Sequence, residues 1–370
     1  MTTQQIYGLV NSVASQSTGH SGIVATDANT LVSLGNVVLS SSTYTEDFLN
    51  TLVMRIGRTI MDFRTYRNKL ADMVLSDFEY GKVMQKIKVK MPEAIADPSY
   101  GLTDGVAVDP WIVHKPDVVQ KLFTNRTPYM FAQTISRQNL KEAFLSAENM
   151  DAFISSVMGE MRNAYELSLE NLGFTAMANF IAEAKGNANQ NIQLVTDYNG
   201  LGGSVTASTA LLDKDFLAYA IRRINETFDN MQYLTENYND GSVARFTPME
   251  DMRVKLLSSF VRAAETVVQY AAFHEELIRV DNGFMKIPYW QAADNPGSIS
   301  VKRASDDAAT TESNIIAVIH DRDALGVYQI EEESNTTGLN AAGRYYTNYL
   351  HCQSLWLNDL SENFVYFTLN

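Results

Sequence analysis

The sequence predicts an α+β protein of more than one domain, and three observations carry that reading. Residues 83–91 alternate between two chemistries with period two, the mark of a strand with unlike faces. Between Ser146 and Gly186, apolar residues recur at spacings of three and four, the mark of one long helix. Finally, 45% of the 370 residues are hydrophobic, which supplies a sizeable core and argues against global disorder. At roughly 100–200 residues per domain, this length predicts two or three domains.

Residues 1–45 stand apart. Fifteen are Ser or Thr, and Asp27 is the one charged side chain. The apolar pieces (Ile23–Val24, Leu31–Val32, Val37–Leu39) are short and carry no sustained helical period, which predicts an extended arm lying on another surface. The bland alternative is a disordered tail. A helix is expected next, capped by Thr45, with Glu46 and Asp47 in its first turn and an apolar stripe through Phe48, Leu52 and Ile56 to Ile60–Met61.

Residues 64–92 change sign. Seven cations (Arg64, Arg67, Lys69, Lys82, Lys86, Lys88, Lys90) face Asp72, Asp77 and Glu79, a local excess of positive charge in an acidic chain. Val83, Gln85, Ile87, Val89 and Met91 fall on one face of the alternating strand. Met84, Lys86, Lys88 and Lys90 fall on the other. Pro92 ends the strand, and a loop leads to a return strand expected near Val106–His114, so the segment reads as a long β-hairpin. An isolated two-stranded hairpin is marginal in water, so its apolar face must be covered, by its own domain or by a neighbour.

The long helix is expected to be capped by Ser146, bent at Gly173 and stopped at Gly186. A Gly- and Asn-rich loop (187–203) marks a boundary. Beyond it come a helix after Asp213, a strand at Val254–Ser259, a helix at Arg262–His274, and strands at Gly283–Trp290 and Ile315–Tyr328. The aromatic-rich tail, 343–370, alternates well enough to close as a strand.

Charge and cysteine content bound the function. Lys and Arg total 29 against 43 Asp and Glu, a formal charge of −14, which is poor material for gripping DNA or an anionic membrane. With Cys352 alone, no intramolecular disulfide or cysteine-rich metal site is expected. The first residues, MTTQQIYGLVNSV, lack a secretory signal pattern, and no run of about 18 apolar residues occurs.

Catalytic constellations are weak. His274-Glu275 opens like a zinc-binding H-E-x-x-H, but Ile278 takes the second His position. His351 and Cys352 are adjacent, so in a strand they point to opposite faces and form no nucleophile pair. Gly200–Gly203 lacks dinucleotide-binding spacing. Glu331–Glu333 reads as a solvated acidic turn, and Asp321–Asp323 as a polar turn with an ion pair. No cofactor and no catalytic or metal residues are expected. Two classes remain: a structural protein that assembles with its own copies, and an acidic α+β enzyme with an unlocated carboxylate site.

Three patches carry a resemblance. Glu46–Gly57 (EDFLNTLVMRIG) looks like the helix that precedes the extended loop in the major capsid proteins of tailed bacteriophages. The segments at 133–135 (QTI), 140–144 (LKEAF) and 153–157 (FISSV) look like the entry to that family's spine helix. Residues 319–328 (IHDRDALGVY), with Arg344–Tyr346 and the aromatic tail, resemble its closing strand. The chain thus resembles the Hong Kong 97-type capsid fold, nearest to short-tailed phages of the Bacillus type. The resemblance implies an N-terminal arm (1–45), a peripheral domain containing the spine helix (46–63 and 126–190), an extended loop (64–125), an axial domain (191–320) and a return to the peripheral domain (321–370). The additional C-terminal immunoglobulin-like domain of some members is not expected here, since the sequence stops at the closing strand.

It also implies pentamers and hexamers of an icosahedral virion shell around double-stranded DNA, assembled in the host bacterial cytoplasm with scaffolding and portal proteins. An encapsulin-like shell around protein cargo is the alternative within the same fold. The expected inter-subunit residues are Lys86, Ile87, Lys88, Val89 and Lys90. The lysines should meet acid on a neighbour while Ile87 and Val89 bury apolar surface. The alternative is a solvated lysine face in cis. The arm is expected to order on a neighbour during assembly, and DNA to be retained by confinement without counterion release.

Overall fold

The computed structural model describes residues 2–19, 24–56, 66–75, 84–124, 126–270, 284–302 and 308–370. Its helices are α1 (Thr3–Thr18), α2 (Ala28–Val38), α3 (Ser42–Ile56), α4 (Arg137–Ala143), α5 (Ala147–Phe153), α6 (Glu160–Ala184), α7 (Leu194–Gly200), α8 (Lys214–Met231) and α9 (Ser258–Tyr270). The first strands are β1 (Val74–Leu75), β2 (Met84–Val89), β3 (Val118–Phe123), β4 (Arg126–Ser136), β5 (Asn191–Gln193), β6 (Met252–Leu257) and β7 (Phe284–Ile287). The remainder are β8 (Ile299–Val301), β9 (Thr310–Glu312), β10 (Ile315–Asp321), β11 (Leu325–Thr336), β12 (Tyr345–Asn358) and β13 (Phe364–Thr368). Two compact units emerge. One comprises residues 1–81, 125–173 and 327–356, and the other 82–124, 174–326 and 357–370.

In the first unit, the segment expected to be an extended arm is helical. Thr2 caps α1 in a reciprocal capping box with Gln5, and Gly19 ends it at φ +67°, a conformation that glycine takes without strain. Asp27 caps α2. Ile6, Val10 and Val13 of α1 and Leu31, Leu34 and Val38 of α2 are buried in one core with Phe48, Leu49 and Leu52 of α3 and Leu140 and Met150 of α4 and α5. At about 1.5–3 kcal/mol per fully buried aliphatic side chain, this burial anchors the helices on their own unit. The sequence hid them because their outward positions carry Gln, Ser and Asn in place of charges, so no charge contrast marks the stripe. Helix α3 likewise begins at Ser42, not Thr45. The Thr45 hydroxyl is buried and donates to the Ser41 carbonyl at 2.9 Å and the Val38 carbonyl at 3.1 Å.

Ser146 caps α5 as expected, accepting the Asn149 N–H at 3.1 Å. The interruption of the long helix is not at Gly173. It is a π-helical stretch, Ile154–Gly159, where Ser155 and Ser156 donate back to the Asp151 and Ala152 carbonyls at 2.7 and 2.6 Å. Helix α6 runs through Gly173, where a Cβ would stand 3.0 Å from Leu70 Cδ1. The glycine therefore serves close packing. The sheet of this unit has the order β1-β11-β12-β4, with β4 and β12 antiparallel over eleven pairs from Arg126↔Leu355 to Ser136↔Tyr345.

The second unit is built on a five-stranded sheet, β5-β13-β10-β6-β7. Helix α8, capped by Asp213, buries Phe216, Ile221, Ile224 and Phe228 with Val254 and Leu256 of β6 and Phe367 of β13. Strand β13 is buried throughout, and both of its edges are paired, antiparallel to β10 and parallel to β5. Residues 357–370 therefore group with this unit, while residues 327–356 group with the first. Residues 82–124 group here too. The return strand of the hairpin is Val118–Phe123, not 106–114, which is exposed loop.

Candidate inter-subunit surface

Strands β2 and β3 pair antiparallel, with Met84 opposite Phe123, Lys86 opposite Lys121 and Val89 opposite Val118. The two faces are the ones the alternation predicted, but their environments are inverted. The face with Lys86, Lys88, Lys121 and Phe123 is turned inward, and Lys88 is only 7% exposed. The face with Ile87, Val89, Val118 and Leu122 is turned outward, with Ile87 61% and Val89 57% exposed.

The reason for the inversion lies 271 residues away. The turn between β12 and β13 presents Asp359 and Glu362, both buried, to the inward face. Lys88 Nζ lies 2.9 Å from Asp359 Oδ2 and 2.7 Å from Glu362 Oε1. Lys86 Nζ is 3.3 Å from Asp359 and donates to the Asp323 carbonyl at 2.7 Å. Lys121 reaches Asp240 at 2.7 Å and Asp359 at 3.5 Å. Arg245 grips Glu362 with two hydrogen bonds of 2.9 and 2.7 Å, the geometry that favours arginine over lysine. Lysines set directly opposite one another would repel. Here the carboxylates of Asp240, Asp359 and Glu362 separate and satisfy them.

Electrostatics follow the packing. Burial works to raise the Asp359 carboxyl. Hydrogen bonds from Ser361 and Lys88, with the charges of Lys86 and Lys88, outweigh it and hold the group well below the usual carboxylate range. Glu362 is also lowered against its burial by hydrogen bonds from Arg245 and Lys88. Asp321, at the end of β10, moves the other way. Its burial raises it, despite hydrogen bonds from the Asp323 N–H and the Thr247 hydroxyl. Removing one partner of a buried pair like Lys88–Glu362 typically costs about 3–5 kcal/mol. Lys90, by contrast, pairs with Asp117 at 2.8 Å near the surface.

Lys86 and Lys88 were expected to reach acid on a neighbouring copy; within the single chain they already pair with Asp359 and Glu362. Their acid is in their own chain, and the face is buried instead of solvated. What the hairpin leaves uncovered includes much apolar surface. Beyond β2, residues 91–117 are exposed throughout, including Met91 (66%), Ile95, Leu102, Trp111 (85%) and Val113. Exposed apolar surface of this extent marks an interaction site.

The other sequence candidates take the following places. In β12, His351 is exposed and Cys352 buried on opposite faces, as the strand reading required. Burial pushes the Cys352 thiol up to about 12. Glu331–Glu333 is not a turn. It lies within β11, where Glu332 pairs with Arg162. Gly203 packs its Cα face against the Tyr198 ring and leaves no room for a side chain. The His274–Ile278 segment lies outside the described residues. Among the described residues no three His, Cys, Asp or Glu side chains are arranged to hold a metal ion, and no helix is long and apolar enough to cross a membrane.

Comparison with known proteins adds independent observations. A family profile described as Phi29-like phage major capsid protein matches residues 9–368. The major capsid protein of Bacillus phage GA-1 is 25% identical over 254 residues, covering 67% of this chain and 49% of that relative. That of Bacillus phage B103 is 24% identical over 165 residues, covering 44% of this chain and 35% of the relative. The chain thus spans about half the length of the curated relatives it matches, or less. Among solved structures, the capsid of Staphylococcus phage Andhra aligns with a TM-score of 0.57 at 10% identity, over 84% of this chain and 87% of that one. A chain from the head fiber and inner core structure of bacteriophage P68 aligns at 0.54 and 11%, with the same shares. At such identities the likeness bears on fold alone, and the shared fold is the tailed-phage capsid fold that the sequence resemblance implied.

Proposed function

The chain belongs to the Phi29-like phage major capsid protein family, and on that premise we propose that its copies build the icosahedral shell of a tailed-phage virion. The observation that carries this reading is the outward apolar face and tip of the hairpin, from Ile87 and Val89 to Trp111 and Val113, which its own unit leaves uncovered. A second copy of the chain is the partner that supplies matching surface at every repeat. Small contact energies, repeated around a closed shell, make a stable particle. The two units take the peripheral and axial roles in pentamers and hexamers, and the hairpin lies on the adjacent copy. Scaffolding and portal proteins are the proposed assembly partners, in the cytoplasm of the host.

The proposed content is double-stranded DNA, retained by confinement. A net charge of −14 gives the chain little with which to release counterions, and its hairpin lysines Lys86, Lys88 and Lys121 are engaged internally. The role is architectural, without substrate turnover. Purified full-length chain, examined by sedimentation and cryo-microscopy, is expected to yield closed shells on its own or with a scaffolding protein. A chain that stays a small oligomer under all such conditions refutes the reading.

A further inference from the structure

The ion cluster at the base of the hairpin does something that stability alone does not require. A buried ion pair is seldom more stabilising than apolar side chains of the same shape, whereas breaking one strands a charge in the interior. The cluster is also placed at a boundary. Its cations Lys86, Lys88 and Lys121 belong to β2 and β3. Its other members come from the body of the same unit: Asp359 and Glu362 after β12, Arg245 and Asp240 before β6, and Asp321 with the Asp323 carbonyl at the end of β10. A two-stranded hairpin has little stability of its own. The pose of β2 and β3 thus depends on whether these charges are matched.

We propose that the cluster of Lys86 and Lys88 with Asp359 and Glu362 is a latch that presets the hairpin. With its carboxylates charged, it draws the lysine face onto the body and so turns Ile87, Val89, Val118 and Leu122 outward before any neighbour is met. With them neutralised, Lys88 loses both anionic partners, the base detaches, and the apolar face is no longer aimed. The proposal rests on the reading of that face as the docking surface. Its consequence for assembly is preorganisation: a neighbour meets a hairpin already in its docking pose and does not have to order it. Within the cluster, burial protects the ion pairs from salt screening, so the trigger is protonation or substitution of the acids, not ionic strength.

The test is hydrogen exchange on the unassembled full-length chain, followed by mass spectrometry. In the Asp359→Asn/Glu362→Gln variant, peptides covering 84–89 and 118–123 should exchange at least tenfold faster than in wild type, while those of β10 and β13 keep their protection. Unchanged exchange in the hairpin overturns the latch. Should the double variant also expose β10, the single Lys88→Gln variant, which keeps both acids and Lys86, is read by the same criterion. Wild type titrated toward acid gives a mutation-free version. Hairpin protection must be lost before that of β10 and β13, and simultaneous loss overturns the proposal. Shell formation by the Ile87→Thr/Val89→Thr variant separates the two ideas. A latch that releases in a chain whose shells tolerate that variant refutes the docking role alone, and a hairpin indifferent to its acids in a chain whose shells do not tolerate it refutes the latch alone.

Discussion

Replacing Ile87 and Val89 by threonine should abolish shell closure while leaving the subunit folded. Both side chains are more than half exposed in the isolated chain, at 61% and 57%, so neither contributes much to its own fold. Substitutions at such positions usually shift stability by no more than about 0.5 kcal/mol. Threonine keeps the β-branch that strands favour, so the hairpin register is not at stake. The expected loss is at the contact. Full burial of a Val or Ile side chain is worth about 1.5–3 kcal/mol, and somewhat over half of that remains to be gained by each residue on docking. Two residues give about 3 kcal/mol per contact, roughly a hundredfold in association at 1.4 kcal/mol per decade. Every subunit of a shell makes this contact, so the loss recurs at each one. Sedimentation velocity reads shells against free subunits, and thermal melting reads the fold. Wild-type shell yield from the double variant, at the wild-type threshold concentration, would refute the docking role of this face.

Further expectations concern the interior. Gly35→Ala in α2 should destabilise by about 1–3 kcal/mol, since the added Cβ would stand 2.5 Å from the Phe144 ring and the overpacking outweighs alanine's helix propensity. Urea melts of variant and wild type measure it. Trp290→Phe should cost about 1–3 kcal/mol, because the buried indole N–H donates to the Ile315 carbonyl at 2.8 Å and phenylalanine leaves that acceptor unsatisfied. The Cys352 thiol, pushed up to about 12 by burial, should resist a thiol reagent at pH 8 in the native chain and react promptly in denaturant. Asp359 and Glu362 have folded pKa values below their unfolded ones, so their stabilisation is present in full above the ordinary carboxylate range. It is lost as pH falls below about 4. Asp321, raised by burial, works in the opposite sense. Melting temperature against pH should therefore decline on the acid side.

Local signals in the sequence were read where local chemistry decides the outcome. The cap at Ser146, the helix start after Asp213, the stripe of α8 and the opposed faces of His351 and Cys352 follow from local residue chemistry and spacing. The helices of residues 3–38 were missed because their outer faces are uncharged. The period is present in Ile6, Val10 and Val13, but serine and glutamine disguise it. The return strand at 118–123 was placed too early because Val106–His114 also has β-branched content, though it is exposed loop. The break in the long helix was assigned to Gly173 on composition. Packing against Leu70 accounts for that glycine, and the helix deviates where Ser155 and Ser156 bond back to the preceding turn.

The hairpin shows a deeper limit of pattern reading. Period-two alternation tells that a strand has two different faces, and hydrophobicity then assigns the apolar one to the interior by default. That default fails when a chain is one part of an assembly. The apolar face is then reserved for a surface that is not in the chain, and a polar face must be buried in its place. Burying lysines is tolerable only if carboxylates are delivered to them, and here these come from Asp359 and Glu362 at the far end of the chain. No local window contains both halves of that cluster. On the proposed docking role, the inversion is function expressed in packing: the lysine-bearing face is satisfied in cis, and the apolar face stays exposed.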